Sequence, residues 1–130
     1  MRGGVVAVAL VTGVLVAGCG AQDGAPRATA ERFAHALDRS DWAAACALLA
    51  KPTRDDLVQS GGKSCPSALA AEAPAPPGPV GAVRVYGSMA EVRTGQDTWF
   101  LAEYAGGWRV LAAGCSPDPG HPYDCRLKGA

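Results

Sequence analysis

The sequence predicts an α+β domain: N-terminal helices packed on a curved antiparallel sheet and stapled by two disulfides. Three observations carry this reading. Apolar residues recur at a period near 3.6 between Ala30 and Leu49. A proline-rich break, APAPPGPVG, then occupies residues 73–81. Beyond it the apolar period falls to near 2, in runs separated by glycine-containing turns. Helices followed by antiparallel strands is the order of an α+β fold.

The N-terminus comes first in the chain and carries a different message. MRGG supplies one positive charge, and VVAVALVTGVLVAG then runs uncharged from Val5 to Gly18. A spanning helix takes about 20 apolar residues. This run is shorter and is broken by Gly13. A charged start, a short apolar core and small residues at its end describe a secretory signal over residues 1–18. A short uncleaved membrane anchor is the competing reading.

Val16-Ala17-Gly18-Cys19 ends that apolar core and resembles the lipobox of bacterial lipoproteins. The resemblance implies that the Cys19 thiol receives a diacylglyceryl group and that cleavage leaves Cys19 as the first mature residue. The protein is then anchored in membrane lipid at the extracytoplasmic face of the cell membrane. Two acyl chains suit that role, because a single chain binds membranes only marginally and reversibly. Plain secretion after a nearby cleavage is the alternative. As a thioether, Cys19 accounts for the odd member of the five cysteines.

Four cysteines remain: Cys46, Cys65, Cys115 and Cys125. An even set in an exported chain reads as disulfides, with three connectivities open. Sequential pairing, Cys46 with Cys65 and Cys115 with Cys125, closes two short loops, each within one half of the domain. A metal site is the rival. No CxxC pair is present and the histidines are His35 and His121, so zinc ligands would have to gather from afar. The missing CxxC spacing also argues against a redox-active pair. No metal and no cofactor is assigned.

Residues 19–27 read as a polar, lipidated tether and residues 28–130 as the single domain. Thr29 is a plausible N-cap for a helix that places Ala30, Phe33, Ala34 and Leu37 on one stripe, with Glu31, Arg32 and His35 off it. Ser40 or Asp41 caps a second helix, which lines up Trp42, Ala45, Cys46 and Leu49 and ends at Pro52. Thr53-Arg54-Asp55-Asp56 resembles a capping box opening a short helix that Gly61-Gly62 stops. The adjacent carboxylates Asp55 and Asp56 are explained by that helix start rather than by catalysis. Another helical stretch begins at Cys65 and runs to about Glu72.

Three strand-like runs follow the break. The first spans Val83 to Thr94, the second Thr98 to Tyr104 and the third Trp108 to Ala113. A three-residue turn, Ala105-Gly106-Gly107, sets Tyr104 against Trp108 and Glu103 opposite Arg109. The two central runs are apolar on both faces, so the sheet is expected to be covered on both sides or curled around a core. SPDPGHPYDC between Cys115 and Cys125 reads as a disulfide-closed loop, with Tyr123 packing back and a short edge strand at 126–128.

The element order and the Gly107-Trp108-Arg109-Val110 ending resemble the cone-like α+β domains of the nuclear transport factor two and ketosteroid isomerase superfamily. Asp41-Trp42, Cys46, Ser64-Cys65 and Ala113-Gly114-Cys115 add a likeness to small exported lipoproteins of high-GC Gram-positive bacteria, of uncharacterised function.

The formal net charge is zero, which excludes the basic field that nucleic-acid binding requires. The leading expectation is therefore a non-enzymatic binding or accessory module at the membrane. Its partner would be an envelope or membrane protein or a small ligand. The superfamily likeness implies an alternative, an isomerase- or cyclase-like enzyme that pairs an acid (Glu91, Asp97 or Glu103) with Tyr86 or Tyr104 in the cone pocket. A third expectation is adhesion through an exposed patch of Trp99, Phe100, Tyr104 and Trp108. No catalytic residue is assigned.

Overall fold

A computed structural model describes residues 3–4, 13, 23–62, 64–72 and 76–129. The expected lipobox, Cys19 included, lies outside the described residues, as does nearly all of the expected signal. Four helices, α1 (Gly24–Asp38), α2 (Trp42–Leu48), α3 (Lys51–Gly61) and α4 (Cys65–Glu72), precede five strands. These are β1 (Val80–Tyr86), β2 (Met89–Thr94), β3 (Thr98–Tyr104), β4 (Gly107–Asp118) and β5 (His121–Lys128). The strands form one open antiparallel sheet in sequential order, each hydrogen-bonded to the next. The α+β class and both sequential disulfides, Cys46–Cys65 and Cys115–Cys125, are present.

The first helix starts at Gly24, so residues 24–27, read as tether, form its opening turn. Pro26 is buried in that turn, where the backbone N–H it lacks has no intrahelical partner to lose. Thr29 is therefore an interior, buried residue of α1 and not its cap. The predicted stripe of Ala30, Phe33, Ala34 and Leu37 is buried. At the other end Ser40 takes φ 54°, and Ser40 N–H and Asp41 N–H donate to Leu37 and Ala36 carbonyls. These bonds satisfy carbonyls that the end of a helix leaves orphaned. Asp41 then caps α2, its Oδ1 accepting from Ala44 N–H at 3.1 Å.

The α2–α3 junction departs from the sequence reading. The chain turns extended at Leu49, which bridges to Val110 of β4, while Ala50 N–H donates to the Val110 carbonyl at 2.8 Å. Docking on the sheet ends α2 before Pro52, and Pro52 instead occupies the first turn of α3. Thr53 is not a capping-box residue. It is fully buried and its hydroxyl donates to the Leu111 carbonyl at 2.7 Å. Asp55 lies a turn into α3 and pairs with Lys51. Gly62 stops the helix in the left-handed region, as anticipated. Gly61 has no room for a side chain, since its Cβ would stand 2.8 Å from that of Ala68 in α4.

The sheet holds five strands where three runs and an edge strand were expected. The run from Val83 to Thr94 is two strands joined by Gly87-Ser88, with Gly87 at φ 61°, a two-residue hairpin of the kind glycine makes accessible. The cysteine-rich tail is a hairpin, β4 with β5, turning at Pro119-Gly120, rather than a loop. The β3–β4 turn has two residues, so Tyr104 pairs with Gly107, Glu103 with Trp108 and Ala102 with Arg109. That one-residue difference removes the expected Glu103–Arg109 pair.

One core joins the helices and the strands. Phe33 of α1 meets Trp99 of β3 edge to face at 5.1 Å, and Leu49, Leu57, Leu69, Val92, Leu101, Val110 and Leu127 surround them.

Candidate functional site

An open groove of about 750 Å³ lies between α1 and the β3–β4 hairpin. Its helical wall presents Ala28, Arg32 and His35. These positions recur every three or four residues, so they fall on one helix face, displaced from the buried stripe. Its other wall is the hairpin, with Gly106, Trp108 and Arg109. Arg109 Nη1 donates to the Trp108 carbonyl at 2.9 Å, folding the guanidinium back against the glycine turn. Gly106 and Arg109 also line a second cavity of about 210 Å³, with Leu49, Lys51, Arg54 and Tyr104 around the rest of it. The two concavities share a wall.

The electrostatics of this region are one-sided. Among the described residues no carboxylate lies within ion-pair distance of Arg32, Arg54 or Arg109. Glu31, also on the groove wall, stands 4.0 Å from Arg27 instead. Arg32 Nη2 donates to the Thr29 hydroxyl at 3.4 Å, leaving most of its donors unused.

The acids and tyrosines of the enzymatic alternative do not assemble. Glu91 pairs with Arg93 at 3.5 Å, and Glu103 is exposed. Tyr86 is exposed, and Tyr104 lines the 210 Å³ cavity, whose lining holds no acid among the described residues. Asp97 borders a third cavity of about 190 Å³ that contains neither tyrosine. Burial pushes the Asp97 carboxyl above its ordinary range, against the lowering effect of the Thr94 hydroxyl and the Trp99 indole nearby. The Thr94 hydroxyl is 2.7 Å from Asp97 Oδ1. Trp99 Nε1 itself is buried without a partner in hydrogen-bond geometry among the described residues.

The aromatic patch is not there. Trp99 is fully buried and Trp108 is 8% exposed, and Phe100 is half-buried, edge on to Tyr123 at 4.9 Å. The hydrophobic effect has drawn the indoles into the core, where large aromatic surface is most stabilising. Adhesion through that cluster is thereby overturned. His121 is exposed beside Asp118 at 3.4 Å, and His35 is exposed on the groove. Among the described residues no three His, Cys, Asp or Glu side chains form a group able to hold a metal ion, and no helix is long and apolar enough to cross a membrane.

Arg32 and Arg109 are what the sequence reading missed as site residues. Helical spacing puts Arg32 on the wet face of its helix, and a three-residue turn would put Arg109 in a cross-strand pair. The available signal was local: two glycines directly before Trp108-Arg109 leave the hairpin tip without side chains to fill the space. Comparison with protein-family models, curated proteins and solved structures found no match to this chain.

Proposed function

We propose that this protein is a lipid-anchored, non-enzymatic binding module at the extracytoplasmic face of the cell membrane. Its anchor is a diacylglyceryl group on Cys19, and its binding surface is the groove between α1 and the β3–β4 hairpin. The lipobox-like Val16-Ala17-Gly18-Cys19 supports the anchor. Two disulfides support an oxidising location.

The groove is the observation that carries the binding role. It has the size of a ligand site, and among the described residues its ionisable lining is Glu31, Arg32, His35 and Arg109, charge suited to recognition. In this reading the helices and sheet make the cone-like body of the nuclear transport factor two kind, an assignment that remains part of the proposal. Phe33, Trp99 and Leu101 fill its inside, so binding falls to the outer groove. A membrane or envelope protein partner, or a small ligand, would dock there.

Mass spectrometry of the membrane fraction tests the anchor. The expected N-terminal peptide begins at diacylglyceryl-Cys19, and Cys19→Ser should move the protein out of the membrane fraction. An unmodified Cys19 in membrane-associated protein sinks the reading.

A further inference from the structure

We propose that the two joined concavities form one binding site for a phosphate-bearing ligand, with Arg109 at its centre. This deepens the binding role above, and it rests on the lipid anchor only for where the phosphate comes from.

Arg109 lines both cavities, flanked by Arg32 and His35 on one side and by Lys51 and Arg54 on the other. Lys51 is engaged by Asp55, and Glu31 is the acidic group on the walls. Three guanidinium groups therefore line two adjoining concavities that share Gly106 and Arg109, with no carboxylate in ion-pair range among the described residues. The chain as a whole carries no net charge, so this concentration is local.

A guanidinium offers five N–H donors in a planar fork that matches two phosphate oxygens. One Arg109 donor is used on the Trp108 carbonyl, which fixes the side chain and leaves the others available. Trp108 and Ala28 add apolar wall for the organic part of the ligand. A bare anion would not need a groove of about 750 Å³, whereas a phosphate ester carrying a sugar or glycerol group would use it.

Position points to two sources of that chemistry. The first helix begins five residues after Cys19. Five residues reach at most about 18 Å when fully extended, so an anchored chain keeps the groove's N-terminal end near lipid headgroups. The phosphate is then either that of an anionic lipid or that of a soluble ester at the membrane surface.

The full chain, purified in detergent with both disulfides formed, is titrated with glycerol 3-phosphate by calorimetry. In parallel it is titrated with short-chain phosphatidylglycerol and short-chain phosphatidylcholine, because its own acyl chains would carry it to a vesicle of any composition. Arg109→Gln and Arg32→Gln are compared with Arg84→Gln, an exposed cation on β1 that lies outside the groove. Circular dichroism of each variant establishes that it is folded, and Arg32 on its helix face is the substitution least coupled to packing.

A tenfold or greater loss of glycerol phosphate binding in both groove variants, with Arg84→Gln unchanged, supports the site with a soluble source. The same pattern seen with short-chain phosphatidylglycerol alone supports a lipid source. No binding to either probe, or equal losses in all three variants, overturns the proposal. The anchor fails separately: binding retained by a chain whose Cys19 proves unmodified removes the lipid anchor and leaves the phosphate site standing.

Discussion

Ser40 holds φ 54° where a helix stop ordinarily uses glycine, and it is the non-glycine with positive φ among the described residues. The left-handed conformation costs a residue bearing a Cβ roughly 1–2 kcal/mol. Ser40 is retained because the two hydrogen bonds it permits end α1 and aim Asp41 at the start of α2. Ser40→Gly relieves the strain and gives back part of the gain as unfolded-state entropy, so it should stabilise by about 0.5–1 kcal/mol. Ser40→Val should destabilise by at least as much, and urea melts of both variants check the pair. Asp97 gives a second test at this scale. Its pKa is raised above 3.8, by burial more than its neighbours lower it. A carboxyl that binds its proton more tightly when folded costs nothing below 3.8 and costs most above its raised value. Asp97→Asn keeps an oxygen to accept from Thr94 and removes that cost. The variant should melt above the wild type near neutral pH, and the gap should close as pH falls through that window. Thermal melts from about pH 3 to pH 8 read it, and a gap that widens in acid would contradict the burial argument.

The helices depend on staples more than on their own length, since helices shorter than about 12–15 residues are marginal alone. The second helix has seven residues and the fourth has eight, and Cys46–Cys65 ties one to the other. Replacing both cysteines by alanine opens a bridge between residues 19 apart, worth about 3 kcal/mol in the chain-entropy model. The loss should appear as faster hydrogen exchange in α4. Cys115–Cys125 behaves differently, because β4 and β5 remain paired by their own ladder from Ala112↔Lys128 to Asp118↔His121. Removing it should leave the protection of that hairpin largely intact. If α4 exchange is unchanged in the first variant, the staple is not what holds that helix. The same contrast explains what was legible. Helical stripes, both disulfides and the glycine stop at Gly62 follow from local spacing, and each could be read from residues close in sequence. The end of α2 could not, because it is set by Ala50 bonding Val110 on a distant strand. Nor could the tail hairpin. Pro117, Pro119 and Gly120 look like loop formers one at a time, yet they sit at the turn or at strand ends while Leu127 and the disulfide hold the pairing.

One core spans the molecule, and the site is a consequence of how its layers meet. The wall carrying Arg32 and the wall carrying Arg109 come from opposite halves of the chain, so no periodicity relates them and the groove was invisible in sequence. Core membership was more accessible, since Phe33, Leu37, Trp99 and Leu101 all fell on predicted apolar positions. The Phe33–Trp99 contact joins the helical layer to the sheet at its centre. Phe33→Ala should cost about 3–5 kcal/mol through lost burial and an internal cavity, a large share of the roughly 5–15 kcal/mol that holds a domain folded. Tyr123→Ala is the matched comparison. It also deletes an edge-to-face aromatic contact, with Phe100, but from a half-buried ring, and about 1 kcal/mol is the scale of that loss. The Phe33 variant should therefore show red-shifted tryptophan emission and a transition moved far toward low urea, with phosphate binding lost as the groove walls separate. The Tyr123 variant should keep its emission maximum and its groove. Equal destabilisation of the two would mean that the layers are not joined at Trp99, and the groove would then owe its shape to the hairpin alone.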